Sequence, residues 1–255
     1  MVDQELSGKI ALVTGASRGI GAATAIALAN HGASRVILHF NSYKTGVEQV
    51  LACVERAGAK AQAIQADLGD EAGIQSFLKA LENSGAAINI LVNNAGSLVE
   101  RAKLAEFTPE LFDRVMNLNM KSAWFITQAV ARHMIANNGG SIVNVSSIAA
   151  RNGGGIGATV YAAAKAAISA MTKGLAKELA PQGIRVNAVS PGTVDNNFHV
   201  QFSNREILKT VVSATPAGRL GTNEDVAETV VFLCSEAARY IHGQTIEING
   251  GMFMV

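Results

Sequence analysis

The sequence predicts an α/β fold, namely a single-domain doubly wound parallel sheet with helices on both faces. Short runs of isoleucine, leucine and valine alternate with longer amphipathic stretches along the 255-residue chain. Most of these short runs are apolar at successive positions, which is typical of strands buried on both faces of a parallel sheet. The 25 glycines lie in discrete clusters rather than in a linker, which indicates close approaches of the backbone within one domain.

The predicted strands and helices follow one another regularly. Strands are predicted over residues 10–13, 35–40, 61–66, 88–92, 141–145, 185–189 and 245–248. Helices are predicted over residues 19–30, 44–57, 71–84, 110–115, 122–137, 161–179 and 223–235. The last helix follows Thr222, which forms a capping box with Asp225 in place of the usual Glu or Gln. Right-handed crossovers join repeated βα units of this kind.

Only residues 194–213 interrupt this alternation. They follow a predicted strand, at the carboxyl edge where doubly wound sheets bind ligands, so we predict that they form a substrate loop or lid. The segment offers Phe198, His199, Phe202 and Arg205 to a pocket. These side chains are too few to identify a substrate.

The composition excludes several classes of protein. The chain has 21 Lys and Arg and 20 Asp and Glu, and its net charge of +1 argues against non-specific binding to nucleic acid or membrane. Cys53 and Cys234 are far apart and the five histidines show no metal-ligand spacing, so we expect neither a disulfide scaffold nor a metal site. The chain has no run of about 18 apolar residues, and residues 1–7 lack the apolar stretch of a secretory signal. We therefore expect a soluble, cytoplasmic enzyme.

The first predicted strand runs into a glycine-rich turn before the first helix. The turn reads Thr14-Gly15-Ala16-Ser17-Arg18-Gly19-Ile20-Gly21. Such a turn presents backbone N–H groups and a helix N-terminus to a pyrophosphate. Its G-x-x-x-G-x-G spacing differs from the common G-x-G-x-x-G fingerprint, but the strand–turn–helix context favours a nucleotide site over glycines that serve packing alone.

Polar residues follow three further predicted strands. Asp67 comes after the third strand, where it either accepts a hydrogen bond from an adenine amino group or caps a helix. Asn93-Asn94-Ala95-Gly96 closes the fourth strand, as part of a cofactor-binding wall or as a simple turn. Ser146 and Ser147 end the fifth strand, where a hydroxyl either donates to a carbonyl oxygen or caps the next helix.

Tyr161 and Lys165 lie four residues apart at the start of a predicted helix and therefore on one face. The pKa of a free tyrosine is about 10. A nearby ammonium group stabilises tyrosinate, and lowering the pKa by about two or three units would suit the phenol to general acid–base chemistry. The pair alone is weak support, because this spacing also occurs by chance on solvated helices.

Taken together, these residues resemble the short-chain dehydrogenase/reductase family from residue 9 to residue 255, which implies a Rossmann-type fold. The matching residues, in the family's order and spacing, are Thr14, Gly15, Gly19, Gly21, Asp67, Asn93, Asn94, Ala95, Gly96, Asn119, Ser147, Tyr161, Lys165, Pro191 and Gly192. Within the family, residues 216–221 and 248–255 are most similar to 3-oxoacyl-[acyl-carrier-protein] reductases.

The resemblance implies catalytic roles for four residues. Tyr161 would protonate the forming alkoxide, and Lys165 would lower the pKa of Tyr161 and bind the nicotinamide ribose. Ser147 would polarise the substrate carbonyl; it precedes Tyr161 by 14 residues, one more than in the closest relatives, so Ser146 is the alternative. Asn119 would hold a water that links Lys165 to solvent.

The resemblance also implies a nicotinamide cofactor, with NADP(H) preferred and NAD(H) possible. The second strand is followed by no acid that would bind the ribose 2′-hydroxyl, and Arg18 with Ser42 and Lys44 would neutralise a 2′-phosphate. The residues expected to contact the cofactor are Gly15, Ser17, Arg18, Gly19, Ile20, Gly21, Asn41, Ser42, Asp67, Leu68, Asn93, Asn94, Ala95, Gly96, Tyr161, Lys165, Pro191, Gly192 and Val194. Asn196 stands where the family often has threonine, which puts closure of the pocket in doubt.

The substrate implied is a small carbonyl compound. A 3-oxoacyl thioester, another small ketone, a sugar and a steroid-like ketone are the alternatives, because substrate choice depends on loops grafted onto the fold. A non-catalytic nucleotide-binding regulator is disfavoured, since it has no use for Ser147, Tyr161 and Lys165 together.

The family resemblance further implies a homotetramer with 222 symmetry, in contact through the helix face around Trp124, residues 162–171 and the tail 252–255. Binding of an acyl carrier protein is left open. Residues 137–140 carry no charge where carrier-binding relatives are rich in lysine and arginine, and Gln182 stands where a docking arginine is expected. Arg132 is then the only basic match.

Overall fold

A seven-stranded parallel sheet forms the centre of the computed structural model, which describes residues 5–255. Its strand order is β3-β2-β1-β4-β5-β6-β7. The strands are β1 (Ile10–Val13), β2 (Arg35–Phe40), β3 (Lys60–Gln65), β4 (Ile90–Asn93), β5 (Gly140–Val145), β6 (Ile184–Pro191) and β7 (Thr245–Ile248). The chain order reverses at the neighbouring strands β1 and β4, where a doubly wound sheet opens a crevice at its carboxyl edge.

Ten α-helices occur in the described part of the chain. They are α1 (Gly19–Asn30), α2 (Lys44–Arg56), α3 (Glu71–Asn83), α4 (Pro109–Met116), α5 (Ser122–Ala136), α6 (Ala149–Asn152), α7 (Thr159–Leu179), α8 (Asn197–Phe202), α9 (Arg205–Ala214) and α10 (Asn223–Cys234). The predicted capping box precedes α10, where Thr222 N donates to Asp225 Oδ2 (2.7 Å) and Asp225 N donates to Thr222 Oγ1 (3.2 Å).

Two apolar cores cover the two faces of the sheet. Along β1, Ala11 and Val13 pack into the core beneath α1, α2 and α10, whereas Leu12 packs into the core beneath α3, α5 and α7. This follows from the alternation of side chains along a strand. Leu12 is in register with Ile37 of β2 and Leu91 of β4 in the same core. The predicted fold class is therefore confirmed, and β1, β2, β4, β5 and β6 are buried on both faces.

Two features of the helical structure bear on the site. Residues 194–213, predicted as a loop or lid, contain the two helices α8 and α9. Helices α4 and α5 are joined by a π-helical turn, Asn117–Lys121, instead of a loop. The buried side chain of Asn119 lies in this turn and donates from Nδ2 to the Val115 carbonyl (2.8 Å), so it bonds to the helix backbone itself. Such turns are frequent at functional sites.

Within residues 5–255, no helix has both the length and the apolar character needed to cross a membrane.

Candidate active site

A cavity of about 760 Å³ opens at the carboxyl edge of the sheet, next to the reversal of strand order. The glycine turn, the ends of β2, β4, β5 and β6, the start of α7 and both helices of the 194–213 segment line it. The predicted site residues that line it are Gly15, Ser17, Arg18, Gly19, Ile20, Gly21, Asn41, Ser42, Asp67, Leu68, Asn94, Ala95, Gly96, Ser147, Tyr161, Lys165, Pro191, Gly192 and Val194. The cavity thus gathers residues from almost the whole length of the chain.

The glycine turn depends on backbone conformations that other residues rarely adopt. Gly15 and Gly19 have φ of +65° and +60°, and a Cβ on Gly21 would overlap the Gly15 carbonyl. Asn94 braces the turn from β4, because its Nδ2 donates to the carbonyls of Thr14 (2.8 Å) and Gly15 (3.1 Å). The amide nitrogen of Asn94 therefore fixes the shape of the turn.

Asn93 corrects one prediction, because it does not line the cavity. Its buried Nδ2 donates to Thr127 Oγ1 (2.9 Å) and Asn144 Oδ1 (2.8 Å), tying β4 to α5 and β5. Neighbouring side chains on a strand point to opposite faces. Only Asn94 of the pair lines the cavity.

His39 is a site residue that sequence analysis missed. The Gly15 N–H donates to its Nδ1 (3.1 Å), and its Nε2 lies 3.0 Å from the Ala66 carbonyl. These two partners assign the hydrogen to Nε2. The ring packs edge-on against Phe77 at 4.9 Å between ring centres. His39 thus ties the glycine turn to the segment that carries Asp67. The signal for it in the sequence is a polar side chain among the apolar residues 36–40.

Burial lowers the pKa of His39 to about 4 from 6.5, and it outweighs the opposing effects of the Ala66 carbonyl and Asp67. Between pH 6.5 and 4, His39 is mostly protonated in the unfolded chain but mostly neutral in the folded protein. We therefore expect His39 to lower the free energy of unfolding as pH falls through this range. The loss in the free energy of unfolding should reach roughly 2–3 kcal/mol by pH 4.5. Urea unfolding of wild type and His39→Gln at pH 7.5 and 4.5 measures it. Equal acid losses in the two proteins would contradict this role.

Asp67 forms an ion pair that local sequence could not reveal. Arg114 Nη2 donates to its Oδ2 (2.8 Å) and the Gly69 N–H to its Oδ1 (2.9 Å). Burial works to raise the pKa of Asp67, but these partners outweigh it and the pKa lies below its usual value. Asp67 is not a helix cap, because Asp70 caps α3 through the Gly73 N–H.

Lys165 and Tyr161 lie together at the start of α7, with the Lys165 ammonium 5.7 Å from the centre of the Tyr161 ring. The buried ammonium donates to the Val145 carbonyl (2.8 Å), and burial lowers its pKa to about 8. Burial raises the pKa of Tyr161 to about 12, which the Ser147 hydroxyl only partly offsets. The predicted lowering of the Tyr161 pKa is therefore not found, since burial outweighs the hydrogen bond with Ser147.

The structure distinguishes Ser147 from its alternative. The buried Ser146 hydroxyl bonds to the Lys165 carbonyl (2.9 Å) and to Ser169 Oγ (2.8 Å), so it is engaged with α7. The Ser147 hydroxyl accepts from the Ala149 N–H (3.1 Å) and reaches the phenol of Tyr161. Ser147 is thus the hydroxyl beside Tyr161.

Asn119 does not line the cavity itself but lies directly behind it. Its Nδ2 donates to the Ser97 carbonyl (2.8 Å), and its Oδ1 accepts from the Ser97 N–H (3.1 Å). A Cβ on Gly96 would lie 2.7 Å from Asn119 Oδ1 and 2.8 Å from Lys165 Nζ. Only glycine at position 96 lets these two side chains approach each other.

The edge of the cavity that follows β2 carries Arg18, whose guanidinium lies 5.5 Å from the centre of the Tyr43 ring. Asn41 and Ser42 line the same edge. Lys44 does not line the cavity, and its ammonium lies 4.0 Å from Glu48. Lys44 therefore lies outside the lining of this edge, unlike Arg18 and Ser42.

The 194–213 segment lies against Tyr161. The rings of Tyr161 and Phe198 are 5.9 Å apart between centres, and those of Phe198 and Phe202 are 5.1 Å apart. Asn196, in place of the threonine expected there, accepts from the Phe198 N–H (3.0 Å) and donates to Asn223 Oδ1 (3.1 Å). Asparagine therefore both caps α8 and links it to α10.

Comparison with known proteins gives matches over nearly the whole chain. The family model described as enoyl-(acyl carrier protein) reductase, one of the short-chain dehydrogenase/reductase models, matches residues 15–253. The 3-oxoacyl-[acyl-carrier-protein] reductase FabG of Aquifex aeolicus (strain VF5) is 39% identical over 250 residues, covering 98% of this chain and 99% of that protein.

Solved structures give the same result. A protein from Beutenbergia cavernae described as an NAD(P) dependent gluconate 5-dehydrogenase, with bound NADP, has a TM-score of 0.90 at 34% identity and covers 98% of both chains. A 3-oxoacyl-[acyl-carrier protein] reductase from Brucella melitensis, with bound NAD, has a TM-score of 0.88 at 31% identity and covers 100% of this chain and 94% of that chain. Fold, site and relatives agree that the chain belongs to the short-chain dehydrogenase/reductase family of oxidoreductases.

Proposed function

We propose that the protein is an NADP(H)-dependent carbonyl reductase that converts a ketone to an alcohol. The observation that carries the proposal is the neutral phenol of Tyr161 beside the Ser147 hydroxyl, in the same cavity as the glycine turn. Relatives named 3-oxoacyl-[acyl-carrier-protein] reductases make a 3-oxoacyl thioester the first candidate substrate. Another small ketone, a sugar or a steroid-like ketone is the alternative.

The cavity fits a dinucleotide cofactor. Helix α1 begins at the cavity without a side-chain cap at Arg18, so the N–H groups of its first turn are available to a phosphate. The glycine turn brings bare backbone to the same place. Of the acidic residues in the described chain, only Asp67 lines the cavity, and it is paired with Arg114. The residues proposed to hold the cofactor are Gly15, Ser17, Arg18, Gly19, Ile20, Gly21, Asn41, Ser42, Asp67, Leu68, Asn94, Ala95, Gly96, Tyr161, Lys165, Pro191, Gly192 and Val194.

The bound cofactor would supply the hydride, and the chain's own residues would manage the proton. With a pKa of about 12, Tyr161 is protonated at neutral pH and can give its proton to the carbonyl oxygen as that oxygen gains charge. Ser147 donates a second hydrogen bond to the same oxygen. The Lys165 ammonium, with a pKa of about 8, stabilises the tyrosinate that remains. Asn119, next to Lys165, holds the water that links it to solvent.

NADP(H) is preferred in this proposal because Arg18 stands where a ribose 2′-phosphate would bind. We expect a higher kcat/KM for NADPH than for NADH on one ketone substrate. Arg18→Met should lower the NADPH value about tenfold and change the NADH value less than threefold, because only the phosphate pairs with the guanidinium. Lys44→Met is the control, since Lys44 does not line the cavity. A wild-type preference for NADH would contradict the proposal.

We propose that an acyl carrier protein adds little to substrate recognition. Carriers are acidic and are attracted by a basic patch, which residues 137–140 and Gln182 do not provide. We expect kcat/KM for an acetoacetyl group on a carrier protein to lie within tenfold of that on a pantetheine-like thiol. A hundredfold preference for the carrier form, lost when salt is raised, would contradict this.

We also propose a homotetramer, by similarity to the family. Apolar side chains exposed on the proposed contact surfaces support it: Trp124 is 39% exposed, Met254 76% and Val255 87%. Association would remove this apolar surface from water.

A panel of ketones assayed with NADPH and NADH tests the proposed function. It should contain an acetoacetyl thioester, a small cyclic ketone, a sugar and a steroid-like ketone. Oxidation of NADPH that depends on at least one of these ketones is the expected result.

A further inference from the structure

The end of the cavity beneath the 194–213 segment contains one charged side chain, Arg101, among the residues that the structure describes. The other charged groups that line the cavity lie elsewhere. Arg18, Arg114 and Asp67 belong to the glycine-turn side, and the buried Lys165 lies behind Tyr161. No function proposed above uses Arg101.

The guanidinium of Arg101 is held in place but not neutralised. Its Nε donates to the Phe202 carbonyl (2.9 Å) and its Nη1 to the Ile156 carbonyl (2.8 Å). Across residues 5–255, no carboxylate lies within ion-pair distance of it. Arginine has five N–H donors, so donors remain for a ligand on a group whose orientation is already fixed.

A glycine segment keeps this guanidinium uncovered. Gly154 and Gly155 line the cavity beside it, and a Cβ on Gly155 would meet Arg101 Nη1 alone, at 3.6 Å. Gly154 has φ of +74° and Gly157 of +76°, conformations that disfavour side chains at these positions. Bare backbone therefore leaves space next to the positive charge.

A wall of aromatic rings connects Tyr161 with Arg101. Each step from Tyr161 to Phe198 and from Phe198 to Phe202 is under 6 Å between ring centres. The carbonyl of Phe202 is the one that binds Arg101 Nε. His199 of the 194–213 segment is close enough to be affected by the charge of Arg101. Burial is the main cause that lowers the pKa of His199, and the positive charge of Arg101 lowers it further. A ligand with its ketone at Tyr161 would lie along apolar rings and end at the guanidinium.

We propose that Arg101 binds a carboxylate of the substrate, and that the substrate is an oxo acid with an apolar stretch between its ketone and its carboxylate. This inference selects the small-ketone alternative given above over the 3-oxoacyl thioester. The inference rests on the proposed reductase function and names the substrate class. Guanidinium and carboxylate form a strong paired hydrogen bond, and the exposed Arg101 guanidinium is accessible to a ligand in the cavity. A ketone without an anionic group would bind the aromatic wall but leave Arg101 unpaired.

Three oxo acids of increasing length, 4-oxopentanoate, 6-oxoheptanoate and 8-oxononanoate, test the proposal against their methyl esters. Each pair has the same carbon chain up to the carboxyl group and differs in charge. For at least one length we expect wild type to favour the acid about thirtyfold or more in kcat/KM, the range of a hydrogen bond to a charged group. Arg101→Met should remove that preference chiefly through KM while the ester changes less than threefold. Arg101→Lys should restore part of it.

Arg205→Met is the matched control. Arg205 lies in the 194–213 segment but, contrary to the sequence prediction, does not line the cavity, so its replacement should change kcat/KM for neither substrate. Equal use of acid and ester by wild type would overturn the proposal. An equal loss for both substrates in Arg101→Met would overturn it too, because it would show that Arg101 only fastens α8.

Calorimetric binding of the preferred-length acid with NADPH present separates this inference from the proposed function. Binding that Arg101→Met abolishes, in a protein that reduces no ketone, would support the carboxylate site and refute the reductase. If the protein reduces ketones and Arg101→Met does not change binding of the acid, the reductase function is supported and the carboxylate site is refuted.

Discussion

Tyr161→Phe is expected to lower kcat for ketone reduction by about 10²- to 10⁴-fold, the contribution typical of a positioned acid. The ring would still pack against Phe198, but no proton would be available for the oxygen that gains charge. Because the phenol hydroxyl is the only group removed, the dissociation constant for NADPH should change less than threefold. Single-turnover kinetics and fluorescence titration of NADPH measure the two quantities.

The control for this variant is Tyr240→Phe, which makes the same chemical change at a side chain that is 98% exposed. It should leave both quantities unchanged. A Tyr161→Phe protein with a near-normal rate would show that another group delivers the proton.

Lys165→Met should impair both catalysis and cofactor binding. We expect kcat to fall about a hundredfold and the NADPH dissociation constant to rise about tenfold, because the ammonium stabilises tyrosinate and is proposed to bind the nicotinamide ribose. Methionine fills a similar volume, and removing a buried ammonium does not require the fold to lose stability. Wild-type activity should also decline as pH rises through about 8, where the Lys165 ammonium loses its proton.

Lys173→Met is the matched control on the same helix, since Lys173 is exposed. It should behave as wild type in the rate, the NADPH titration and the pH profile. If Lys165→Met lowers the rate but binds NADPH normally, Lys165 does not bind the nicotinamide ribose.

The sheet could be predicted because its signal is local. Residues 10–13 and 36–38 are apolar at successive positions, and the strands predicted from them, 10–13 and 35–40, appear in the structure at those bounds. Helix α9 could also be predicted from the sequence, since Asn204 caps it and apolar residues recur at helical spacing, namely Ile207, Leu208 and Val211. The sequence analysis predicts a loop or lid there because residues 194–213 interrupt the regular alternation of strands and helices.

The site could be predicted only as far as its motifs are contiguous. The glycine turn and the Tyr161–Lys165 pair are local, and both line the cavity. The partner of Asp67 is Arg114, 47 residues away, and such pairings depend on how distant segments meet. The raised pKa of Tyr161 depends on burial in the assembled cavity, which spacing along a helix does not reveal.

The most direct test of the central claim is to follow NADPH and product together while purified protein acts on the ketone panel. Each NADPH oxidised should yield one alcohol, and Tyr161→Phe should lower both signals by about 10²- to 10⁴-fold while NADPH still binds. Tight binding of NADPH without alcohol formation from any ketone would contradict it, and would indicate a nucleotide-binding regulator on the same fold.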